Sequence, residues 1–161
     1  MGASIVQFRG NKTILGYIKD GQAYASNISD KNLQYLKDRI HIAYLLYIEK
    51  NEDEAVSLKK NTFADGWLDN AGSLNSFSWW CFENQINLDE AAVMARRGVK
   101  LAEPGGLKAN ILDTLAEVVF LQGKTDEAIV LMEEAIRENP KNKYFQEQLD
   151  RFQKELASMT N

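Results

Sequence analysis

Few residues of this chain belong to types that carry out chemistry, and their spacing limits what they can do. Cys81 is the only cysteine and His41 the only histidine among 161 residues. A thiol nucleophile needs a base or a positive field beside it. Cys81 stands instead in the run Trp79-Trp80-Cys81-Phe82, among aromatic rings. It reads as a buried thiol that serves packing. One cysteine also excludes an internal disulfide and a cysteine metal cluster, and it fits a reducing compartment. His41 has no second histidine to join it in a zinc site and reads as a packing or surface residue. Glu52-Asp53-Glu54 has the composition of a metal site but the spacing of a first helical turn, where carboxylates face the positive end of the dipole. Gly105-Gly106 lacks the Gly-rich spacing and the Lys-Ser/Thr of a phosphate loop. Arg96, Arg97 and Lys100 form a small basic spot on a solvated face. No acid, base and nucleophile converge, so neither an enzyme nor a cofactor or metal is expected.

The elements that must position these residues are helical hairpins. Ile111, Leu112, Leu115, Ala116, Val118, Val119 and Phe120 follow the 3, 4, 7 spacing of an amphipathic helix. Gly123 ends it, as glycine does where a positive φ is needed. Thr125 is expected to cap a second helix, with Asp126 and Glu127 in its first turn. Ala128, Ile129, Leu131, Met132, Ala135 and Ile136 form that helix's apolar face, and Pro140 stops it. Similar Asp-Glu-Ala turn signals lead to Ala55, Ala91 and Ala128, which lie 36 and 37 residues apart.

Leu115-Ala116, Gly123, Ala128, Ala135 and Pro140 resemble the pattern of the tetratricopeptide repeat, a helical hairpin with a period of about 34 residues. One helix pair cannot bury its own apolar face, so further copies are expected. The resemblance implies an α-α superhelix of about three hairpins, over residues 32–62, 71–103 and 107–139, with a capping helix at 141–157. The first pair is degenerate after Leu58. In it Asn51 caps the second helix, with Glu54 three residues on. In the second pair Asn87 takes that place, with Glu90 three residues on, and the turn at Gln85-Ile86 is one residue longer than the usual one. Phe63, Trp67 and Leu68 in the junction at 63–73 are expected to cover an apolar end. In the last helix Tyr144, Phe145, Leu149, Phe152 and Leu156 recur at helical spacing.

Residues 1–28 have another character. The runs at 4–8 and 13–18 are β-prone, Lys19-Asp20-Gly21 is a turn signal, and a short run at 22–25 follows. They read as a β-hairpin or small meander, leaving residues 29–161 as the helical repeat domain. The net charge is −4 without a basic stripe, so nucleic acid is not an expected partner. No apolar run is long enough to span a bilayer and no secretory signal opens the chain, which points to the cytoplasm rather than a membrane.

Projected on tetratricopeptide geometry, Tyr44 and Tyr47 of the first pair face the concave groove. So do Trp79 and Phe82 of the second pair and Asn110, Asp113 and Glu117 of the third, with Phe120 at the edge. The resemblance implies a noncatalytic scaffold that binds a protein or peptide partner there. Packing against neighbouring helices is the alternative role for Trp79. The face would be aromatic at one end and acidic at the other. It would suit a segment with apolar and basic residues and disfavour an acidic peptide C-terminus. Two other readings stay open. One is an accessory domain related to the helical tails of thioredoxin-like redox proteins, since residues 4–25 faintly resemble the last strands of that fold. The other is a self-assembling structural protein, for example a homodimer through the first repeat or an edge strand.

Overall fold

Nine successive residues of one helix, Ile111 to Val119, are buried, so this helix has no solvent face over that stretch. A helix buried on all sides must lie inside a bundle. In the computed structural model, which describes residues 12–27, 29 and 33–159, it is the helix α6 (Gly106–Leu121). The chain divides into two compact units, residues 1–65 and 66–161. The described residues are mainly helical and contain no strand.

The first unit holds α1 (Lys12–Ser26), α2 (Gln34–Tyr44), a π-helical turn (Leu45–Glu49) and α3 (Glu52–Asn61). Here the expected β segment is corrected. Residues 4–8 lie outside the described residues, but 12–26 form one helix that runs straight through Lys19-Asp20-Gly21. The reason is periodicity. Ile14, Ile18, Gly21 and Ala25 recur at helical spacing, and Ile14, Ile18 and Gly21 line a groove with Leu36, Ile40 and Ala43 of α2. Burial along one helical stripe outweighed the local β propensity of the Ile and Tyr residues. Asn51 caps α3 through its side-chain oxygen, which accepts from the Glu54 backbone N–H (3.2 Å), while its amide donates to Glu54 Oε2 (2.7 Å).

The second unit starts with a 3₁₀ turn (Trp67–Asp69). It continues with α4 (Ala71–Asn84), α5 (Leu88–Leu101), α6, α7 (Thr125–Glu138) and α8 (Lys143–Met159). Each helix packs on the next, and α4 also packs on α6. Small residues permit the close approaches. Ala91, Ala95, Ala116, Ala128 and Ala135 are fully buried. A Cβ on Gly98 would stand 3.2 Å from Ile111 Cγ2. Ser78, also fully buried, donates its hydroxyl to the carbonyls of Leu74 and Ala91, both at 2.9 Å, and so ties α4 to α5. Of the junction residues, Trp67 lies against Phe77 with ring centroids 5.6 Å apart, Phe63 lies under Lys59 Nζ, and Leu68 stays exposed.

The helix ends recur in form. Three hairpins turn on residues in the left-handed conformation: Lys50 (φ 60), Gln85 (φ 55) and Gly123 (φ 78). After α4, Gln85 N–H donates to Phe82 O and Ile86 N–H to Cys81 O. After α6, Gly123 N–H donates to Phe120 O and Lys124 N–H to Val119 O. This is the same C-terminal motif twice. From there Ile86 and Asn87 lead to α5, whereas Lys124 alone leads to α7. Two cap expectations are corrected. Thr125 is the first residue of α7, with Lys124 before it and its hydroxyl buried without a partner. Asn87 adopts φ 50, makes no side-chain cap, and instead donates its amide to Glu90 Oε2 (2.6 Å). No helix among the described residues is long and apolar enough to cross a membrane.

Candidate functional site

The residues projected onto a groove in the second unit come in matched pairs. Trp79 and Phe82 on α4 precede Glu117 and Phe120 on α6 by 38 residues each, the same interval that separates the turn residues Gln85 and Gly123. Asn75 precedes Asp113 by that interval too. Equal distance from equivalent helix ends puts each pair at the same position of its helix.

On α4, Trp79 and Phe82 are half-buried and lie against each other, with ring centroids 4.9 Å apart and planes tilted by 44°. Trp80 turns the other way, towards Phe77 (6.3 Å), and Cys81 is fully buried. This division is what a 100° step per residue requires of four consecutive large side chains. Asn75 Oδ1 is buried and accepts no hydrogen bond.

On α6, Asn110 is exposed, whereas Asp113 is 8% and Glu117 5% exposed. Their cover is α8. Arg151 donates to Glu117 Oε1 at 2.5 Å and lies over the rings of Phe120 (5.1 Å) and Phe152 (4.4 Å). The Phe120 and Phe152 rings are themselves 4.7 Å apart. Phe145, Leu149 and Phe152 anchor α8 from its buried side. The acidic and aromatic face of α6 is therefore occupied, and by the chain itself.

The electrostatics of this seam are lopsided. Two carboxylates meet one guanidinium. Burial pushes Glu117 up, and the Arg151 hydrogen bond and charge oppose that rise. Asp113 has no such bond. Burial, helped by the Glu117 charge and only partly opposed by Arg151, raises it to about 7, and its Oδ1 has no hydrogen-bond partner. Tyr144 of α8, 39% exposed, is pushed up to about 12 by burial and then by the charges of Asp113 and Glu117. Asp113 thus lies within electrostatic reach of Tyr144 and Arg151 of α8. The part that sequence reasoning missed is Arg151, and Tyr144 was read only as one of the periodic residues of the last helix. The signal was present, since Arg151 adjoins Phe152 inside the apolar period of α8.

Tyr44 and Tyr47 belong to the first unit, on α2 and the π-helical turn, and both are half-buried. Tyr44 stacks on His41, whose Nδ1 accepts from Gln22 Nε2 at 2.9 Å. Among the described residues no three His, Cys, Asp or Glu side chains are grouped to hold a metal ion. Compared with protein-family models, with curated proteins and with solved structures, the chain finds no match in any of the three.

Proposed function

We propose that this chain is a noncatalytic protein-interaction module of tetratricopeptide-like helical hairpins, and that the α4–α6 face of its second unit receives a segment of a partner protein. The observation that carries this reading is the Trp79–Phe82 pair. Two large rings lie against each other and half-exposed on one side of a helix whose other two aromatic residues, Phe77 and Trp80, turn away from them towards each other. Tryptophan exposed in this way is enriched at binding hot spots. The repeated helix ends and the small-residue seams support the tetratricopeptide likeness. The burial of Cys81 supports a noncatalytic role. The redox-accessory reading loses its footing, because residues 12–25 are helical rather than the last strands of another fold.

The test is affinity capture from source lysate by the full chain and by a Trp79→Ala/Phe82→Ala variant shown to be folded by circular dichroism. A protein held by the wild type and lost by the variant is the expected result. Equal capture by both would remove this face from the interaction. A second reading, self-assembly, is favoured by the groove between α1 and α2, about 360 Å³, whose edge carries Tyr17 at 71% exposure. Light scattering across concentration distinguishes a monomer from a dimer.

A further inference from the structure

The α6 face already holds a ligand-like element. α8 supplies a guanidinium to Glu117 and a phenyl ring to Phe120, through the adjacent residues Arg151 and Phe152. One helical turn away on α6, Asp113 is nearly as deep, and its Oδ1 accepts no hydrogen bond. Two α8 residues share its electrostatic surroundings: Arg151, already bonded to Glu117, and Tyr144, an uncharged and partly exposed side chain. The seam thus displays what a better occupant would carry. We propose that α8 is a displaceable, in-chain occupant of the α6 face, and that the partner is an amphipathic helix bearing the Arg-Phe pair of α8 and a second basic residue at the Tyr144 position. The proposal deepens the interaction-module reading and rests on it, naming both the partner's chemistry and the contact that holds the site shut.

Charge complementarity supports this choice of partner. Among the groups acting on Asp113, Glu117 of its own helix adds negative charge and Arg151 of α8 removes part of it; no charged group of α4, α5 or α7 contributes. A second cation would pair with a carboxylate that is otherwise buried at a cost. The advantage over α8 disappears where Asp113 is protonated, so it belongs to neutral and alkaline pH.

The test uses the full-length protein in two ways. Hydrogen exchange of the wild type is expected to show the amides of α8 opening about a hundredfold more often than those of α6, as an independently undocking element would. Exchange of α8 at the rate of α6 would overturn the proposal, because α8 would then leave only on global unfolding. Separately, two labelled synthetic peptides are titrated into the full chain carrying Phe152→Ala, which loosens its own α8. One peptide has the sequence of residues 143–159, and the other differs by Tyr144→Lys. The lysine peptide is expected to bind about tenfold more tightly at pH 8, the equivalent of one pKa unit, and equally at pH 5. Equal binding at pH 8 would overturn the choice of a second cation. Should Phe152→Ala fail to fold, the exchange experiment on the wild type still decides. Failure here with capture through Trp79 and Phe82 intact would leave the interaction module standing without a displaceable α8. Peptide exchange without any captured partner would do the reverse.

Discussion

Asp113 opposes folding at neutral pH. A carboxyl raised in the folded state ionises first in the unfolded chain, near its ordinary 3.8, and only later, at about 7, in the folded one. Well below pH 3.8 both states are protonated and burial carries no ionic penalty. Between the two values the unfolded state gains, and above about 7 the full penalty stands. Asp113→Asn is therefore expected to stabilise the protein at pH 8, by on the order of 4 kcal/mol, less at pH 5 and not at all near pH 2.5. Urea melts at the three values measure this, and an unchanged midpoint at pH 8 would refute it. Gly98→Val should act in the opposite direction. Its side chain would press on Ile111, the Ala71 carbonyl and Leu74, with an expected loss of about 1–3 kcal/mol in the same assay. At this scale the sequence was legible in part. The small residues at Ala116, Ala128 and Ala135 and the cap at Asn51 followed from local chemistry. The Arg151–Glu117 pair did not, because it joins residues 34 apart across a seam that exists only once α8 has docked.

Helix ends are where element-scale predictions lie. Gln85 and Gly123 hold the same left-handed position in successive hairpins, but only glycine adopts it without steric cost. Gln85→Gly is expected to raise stability by about 0.5–1 kcal/mol, and Gly123→Ala to lower it by about 1 kcal/mol. Thermal melts of the pair give the comparison, and a loss on Gln85→Gly would mean that its side chain contributes more than its backbone costs. The helices of the second unit could be read because apolar spacing, punctuation by Gly123 and Pro140, and the Asp-Glu-Ala turns agree. At residues 12–26 the signals disagreed. Ile, Tyr and Gly favour strand and turn locally, and the stripe Ile14, Ile18, Gly21, Ala25 prevails only because α2 is there to receive it. Thr125 misled for a related reason. It stands at the first helical position, and Lys124, with φ −95 and ψ 60, holds the place before it without a side-chain cap.

At the scale of the whole molecule the two units differ in how much they bury. In residues 1–65 the buried apolar side chains are Ala25, Ile42, Leu45, Leu46 and Ala55, among the described residues. Residues 66–161 enclose α6 from Ile111 to Val119 and bury Phe77, Phe145 and Phe152 besides. A core of that second kind suffices for independent folding, and one of the first kind is marginal. The fragment 66–161 is expected to melt cooperatively by circular dichroism and the fragment 1–65 without a sharp transition. A featureless melt of the longer fragment would contradict the division.

The full burial of Cys81 has a practical consequence. It is the one thiol in the chain and sits in α4 without solvent contact. A maleimide can therefore reach it only during excursions that open that helix. The labelling rate is a stopwatch for those excursions that needs no engineered probe, in purified protein or in a cell extract. Slowing of that clock when extract is added would register an interacting protein before anything about it is known.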